Sequence, residues 1–210
     1  MILSFLASSR LLFLPCFIVF CLWLLYEIHK SNRKNEKAER EFWERERQAN
    51  LTRKQPLNDL TYITVPMELI PKSLLSDDEK VREYIKTLEK LKDDKIVNLT
   101  GLTNTELKLK YGAPNLDLLS RYDDNYTTYA RTMYRLAEKY HAAGYESNAR
   151  ILLEKAVESG TDVADTYRLL GKIYAAHEMK TELETLTEKA RALDTLTSKA
   201  MVADLEKLLS

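Results

Sequence analysis

The apolar positions of this chain change period several times from one end to the other. From Ile2 to Ile28 they run almost unbroken, interrupted by Arg10 and Glu27 alone among charged residues. A bilayer core takes about 20 mostly apolar residues, so 11–28 is expected to be a transmembrane helix with Arg10 reaching out to the interface. Pro15 suits its first turn, and Trp23 and Tyr26 suit the interfacial aromatic belt. From Ser31 to about Asn50 large apolar residues shrink to Phe42 and Trp43, while Glu36–Arg40 and Glu41–Arg45 set opposite charges four apart. That pattern predicts a solvated helical stalk continuing the span; no apolar heptad supports a coiled coil. Pro56, Pro66 and Pro71 then exclude a helix. The β-branched run from Leu60 to Val65 predicts an extended connector laying Tyr62, Ile63, Val65, Leu69 and Ile70 on the body.

Beyond Ser76 the period becomes that of amphipathic helices. Ser76 to Glu79 has the form of a capping box, opening a helix to about Lys92 with Val81, Tyr84, Ile85, Leu88 and Leu91 on one face. Ile96, Val97 and Leu99 form a short apolar patch. Asn104 or Thr105 is expected to cap a brief helix ended by Gly112, and Pro114 to open another with Leu116, Leu118 and Leu119 inward. Asp123 or Asp124 is expected to cap the long helix that follows. Helices are then predicted at 125–143 and 146–158, joined at Gly144, and at 163–177 and 180–193, joined around Glu178-Met179. A last helix from Ser198 to Leu209 carries Met201, Val202, Leu205, Leu208 and Leu209 on one stripe.

The last third repeats itself. Tyr140 recurs as Tyr174, Leu136 as Leu170, Ala137 as Gly171 and Ala156 as Ala190, all at one constant interval. These positions, with Gly144, Ala149, Leu153, Tyr167 and Leu183, resemble the tetratricopeptide family, whose helix–turn–helix unit of about 34 residues has that same length. Lys180, Leu183 and Thr187 depart from the family's pattern in the second unit. The whole is similar to bacterial membrane proteins with one N-terminal span and a tetratricopeptide-like tail. The resemblance implies an α-α solenoid that binds proteins and catalyses nothing. It also implies that the first helix of each pair lines a concave groove. On that template the groove receives Arg131, Tyr134, Glu138 and His141, with Arg135 nearby, and then Arg168 and Lys172. A groove rich in arginine suits an acidic peptide or chain carboxylate. The asparagine used by chaperone-binding members is absent, Glu138 standing in that region.

The expected organisation is all-α. It runs as a short extracytoplasmic N-terminus (1–10), the span (11–28), a charged stalk (29–55), an extended linker (56–76) and N-terminal capping helices (77–122). Two helix pairs plus a C-terminal capping helix follow (123–210).

Composition and charge narrow the function classes. The 32 basic and 32 acidic side chains balance, so no global field favours nucleic acid. Locally, Lys30, Arg33, Lys34, Lys37 and Arg40 follow the span while Arg10 precedes it, which predicts a cytoplasmic body by the positive-inside rule. The same five bases raise the question of anionic lipid; the interleaved glutamates favour a plain stalk. Cys16 and Cys21 fall inside the apolar run, where they read as small apolar residues, with S-acylation the alternative. A cleaved signal peptide lacks its small-residue cleavage site. No phosphate-binding glycine loop, zinc-protease helix motif or paired-cysteine spacing occurs, and Asp117, Asp123 and Asp124 lack the calcium-loop pattern. The expectation is a non-enzyme without cofactor or metal, binding a protein or peptide partner, with homo-oligomers open. The alternatives are a self-assembling structural protein or an extracytoplasmic envelope-assembly factor.

Overall fold

The computed structural model describes residues 2–193, 195 and 197–209, with side chains described from Cys16 onward. The side chains of 1–15, including Arg10, Pro15 and the first five residues of the expected span, lie outside that description. Two compact units divide the chain, Met1–Thr52 and Arg53–Ser210. The first unit is a single helix, α1 (Ile2–Leu51), so stalk and apolar segment are one element, as their lack of internal breakers after Pro15 requires. Among the described residues, no helix is long and apolar enough to cross a membrane.

The second unit is helical apart from one small ribbon. The connector contributes β1 (Tyr62–Ile63), which pairs antiparallel with β2 (Ile96–Val97), Tyr62 opposite Val97 and Ile63 opposite Ile96. Val65 and Ile70 are buried, so the connector is packed on the helical body as its β-branched content implies. Tyr62 departs from that expectation. It is 40% exposed, with its ring edge-on to Tyr122 and Lys95 lying 5.1 Å above it.

Helix α2 (Glu79–Leu91) starts at Asp78, whose carboxylate accepts from the amides of Lys80 and Val81. The box expected from Ser76 is not used, because Asp78 can cap the same turn and also accept a 2.7 Å bond from Lys139 on the neighbouring helix. That bond holds the Asp78 carboxyl below the usual carboxylate range. Val81, Ile85, Leu88 and Leu91 are buried; each contributes about 2 kcal/mol of apolar transfer. α3 (Asn104–Tyr111) is capped by Thr103, one residue before the expected caps, in a reciprocal box with Glu106, and it ends at Gly112 as expected.

The largest departure is α4, which runs without break from Leu116 to Ala142. Neither Asp123 nor Asp124 caps a helix; the Asp123 carboxylate instead accepts the amide of Leu99 at 3.1 Å. The 122/123 domain boundary therefore falls inside a helix. No glycine or proline interrupts it, and Leu119, Tyr122, Tyr126, Tyr129, Met133, Leu136 and Tyr140 make one continuous buried stripe. α2 packs on this helix, α3 beside its first turns. A small core around Val97, Leu107, Tyr111, Leu119 and Tyr122 lies at the α3 end, separate from the main core.

After α4 the elements repeat at constant length. α5 (Glu146–Glu158) and α7 (Lys180–Ala192) are equally long, and each end of α7 follows its counterpart in α5 by the interval that separates Tyr140 from Tyr174. By the same interval α6 (Ala164–Ala176) ends after α4, and α8 (Ser198–Leu209) starts after α6. The connecting turns are built alike. The carbonyls of Tyr140 and Tyr174 accept from the amides of Tyr145 and Met179, both at 2.9 Å. Those of Lys139 and Ile173 accept from Ala143 and His177, both at 3.2 Å. Each turn passes through a left-handed residue, Gly144 (φ 84°) and Glu178 (φ 56°). Neighbours pack in chain order, α4 on α5, α5 on α6, α6 on α7, and α8 against both α6 and α7.

Candidate interaction surface

Residues 131, 134, 135, 138 and 141 recur at helical spacing, so they form one face of α4; 168 and 172 share a face of α6. The buried stripe on the opposite side of α4 fixes that orientation. Arg131 is exposed and has no ion pair among the described residues, and Lys172 is likewise exposed.

The residues between them are occupied. The Tyr134 hydroxyl donates to Glu138 at 2.9 Å; burial and that carboxylate push its pKa up to about 12. Arg135 pairs with Glu138 at 3.3 Å and lies 5.7 Å from the Tyr134 ring centre. Arg168 is fully committed: Nε donates to Asp204 of α8 at 2.9 Å and a terminal nitrogen to Asp165 at 3.1 Å. Those bonds raise the guanidinium pKa and hold the Asp204 carboxyl low. Arg168 thus ties α8 to α6, and the cation density expected across the groove is largely neutralised from within. Arg131 and Lys172 remain to meet an anion.

The structure also brings together residues that sequence spacing kept apart. His141 ends α4, His177 caps α6, and both point at Glu146 in the first turn of α5. Nε2 of His177 is 3.2 Å from one carboxylate oxygen, and Nδ1 of His141 is 3.9 Å from the other. The His141 nitrogen is buried and without a hydrogen-bond partner. The separation of the two histidines in sequence has no local period, and only the equivalence of the two turns signals their approach. Among the described residues no group of three or more histidines, cysteines or carboxylates is arranged to hold a metal ion.

On another side, α5, α6 and α7 enclose an open cleft of about 270 Å³. Val157, Leu170 and Leu186 form its floor, with Glu154, Glu182 and Lys189 on the rim. None of the seven residues expected to line a groove lies along it. The Tyr174 hydroxyl donates to Glu154 at 3.0 Å there, which crosses from α6 to α5. The chain matches no protein-family model, no curated protein and no solved structure.

Proposed function

We propose that this protein is a single-pass membrane-anchored adaptor whose tetratricopeptide-like helical domain, on the cytoplasmic side, captures a protein partner and performs no catalysis. The observation that carries the reading is the common register of α4–α5 and α6–α7, kept in element ends, turn hydrogen bonds and buried positions. Stacked hairpins of this kind leave the first helix of each pair with one polar lateral face, suited to an extended peptide. The anchor is supported by the apolar run from Ile2 to Ile28 and by the five bases that follow it between 29 and 40.

The peptide site is the α4–α6 face, with Arg131 and Lys172 as exposed cations that form no ion pair among the described residues and Tyr134 as its aromatic contact, which fits an acidic segment. The test is cross-linked recovery from membranes with the tagged full-length chain and with its Arg131→Glu, Lys172→Glu variant. Both side chains are exposed, so folding is spared. Partner recovery is expected to fall about tenfold, since reversed charges at an interface rim repel. Equal recovery removes this face from the mechanism.

A second reading, self-assembly without a separate client, draws on Phe42 and Trp43, which are exposed on α1 with rings 5.3 Å apart. Light scattering of the full-length chain in detergent decides against it if the mass stays monomeric over a wide concentration range. Placement outside the cytoplasm would be revealed by protease cleavage in intact cells.

A further inference from the structure

The basic residues that follow the apolar run of α1 are gathered by helical geometry. Measured around the axis from Lys37, Lys30 lies at about +20°, Arg33 at about −40°, Lys34 at about +60° and Arg40 at about −60°. Five cations thus occupy an arc of about 120°, with Tyr26 in the same row, and these side chains share one exposed face of α1. Glu36 and Glu39, the interleaved glutamates, fall about 100° and 160° away on the far side. Glu41 and Glu44 return to the basic face, but only beyond its distal end. The face is therefore cationic next to the apolar segment and anionic farther out.

Partnering within the helix leaves most of this charge available. Lys30 lies 3.7 Å from Glu27 and Lys37 3.7 Å from Glu41, both solvent-exposed pairs. Such pairs contribute little and rearrange readily. Arg33, Lys34 and Arg40 have no ion pair among the described residues.

We infer that this stripe binds the phosphate head groups of anionic lipids, fixing the rotation of α1 at the membrane surface. The inference rests on the anchor reading above. It overturns the objection that interleaved glutamates cancel the basic flank, because the cancellation in sequence is a separation in space. At about 1.5 Å per residue, Lys30 and Lys34 stand about 3 and 9 Å beyond Ile28 along the helix, and Lys37 and Arg40 about 14 and 18 Å. Screening at physiological salt acts over about 8 Å, so the interaction is strongest at Lys30 and Lys34 and fades toward Arg40.

The test reconstitutes the full-length chain into vesicles of phosphatidylcholine alone and of phosphatidylcholine with phosphatidylserine, then labels lysines with an impermeant amine reagent. Lys172 serves as the reference. The expected result is labelling of Lys30 and Lys34 slowed at least about threefold in the anionic vesicles, with less protection at Lys37. Protection should vanish in about 0.5 M salt and in the Arg33→Glu, Lys34→Glu, Arg40→Glu variant, read at Lys30. Equal labelling in both vesicles overturns the inference. So does protection produced in neutral vesicles by inorganic phosphate alone, which would mark a site for free phosphate or a phosphopeptide. An alkaline carbonate wash separates the two claims. A chain retained in the vesicles without lipid-dependent protection leaves the anchor and removes the stripe. A chain released by the wash yet protected by anionic vesicles does the reverse.

Discussion

The two hairpins, α4–α5 and α6–α7, share turn bonds and one buried tyrosine position, Tyr140 and Tyr174, yet they are held by different means. In the first, a buried Ala137 stands in the small-residue position and the turn passes through glycine. In the second, Gly171 stands at the equivalent place because α8 lies on it. A Cβ built there would come within 2.4 Å of Leu205 Cδ2 and 3.3 Å of Leu208 Cδ1. The hydroxyls differ as well: Tyr140 donates to the carbonyl of Pro71 at 3.3 Å, whereas Tyr174 donates to the Glu154 carboxylate. The period fixes backbone and core positions; whatever packs next to each hairpin sets the rest.

Four outcomes break or sharpen this contrast. The largest effect is expected for Gly171→Val, which overpacks the α6–α8 contact and costs about 3 kcal/mol, against about 1 kcal/mol for Ala137→Gly in the first hairpin. Urea titration of the full-length chain in detergent, followed by circular dichroism, gives both numbers. Next, Tyr174→Phe is expected to cost about 1.5 kcal/mol, because a carboxylate loses its donor, and Tyr140→Phe nearer about 1 kcal/mol.

Third, burial raises the pKa of Tyr129 and Tyr167 to about 12. The folded state keeps these protons after the unfolded state has lost them. Their contribution is therefore whole below about pH 10 and is lost as pH rises from about 10 to about 12. A midpoint that stays flat across that window contradicts the burial argument. The smallest effect belongs to the turns: Glu178→Gly is expected to stabilise by about 0.5 kcal/mol by relieving a left-handed non-glycine residue, and Gly144→Glu to cost about 1 kcal/mol.

These differences also mark what the sequence could convey. The helices at 146–158 and from Ser198 to Leu209 fall where their apolar spacing and the repeat period put them; α6 is one residue shorter at each end than expected and α7 one residue shorter at its C-terminal end. Local patterns carry that information. Asp123 misled because an aspartate before a helical stripe looks like a cap, while its actual partner, the Leu99 amide, belongs to a distant segment of the chain. Pairing of 62–63 with 96–97 was equally hidden: both segments are apolar and β-branched, but nothing local joins them. The grouping of Arg131, Tyr134, Arg135, Glu138 and His141 comes from the tetratricopeptide resemblance, and their spacing does put them on one face of α4. The capture of Arg168 by Asp204 was not legible, since it depends on how α8 docks.

Equal spacing of the hairpins has one more consequence. Copying residues 144–177 in tandem would insert one additional α5–α6 pair while leaving each helix in phase, each turn closed at the same carbonyl, and α2 and α8 at the two ends. Recombination between the two related stretches would therefore lengthen the lateral face in whole steps without unsettling its ends. Growth or shrinkage by unequal exchange is thus open to this chain in a way that it is not to a protein with an aperiodic core.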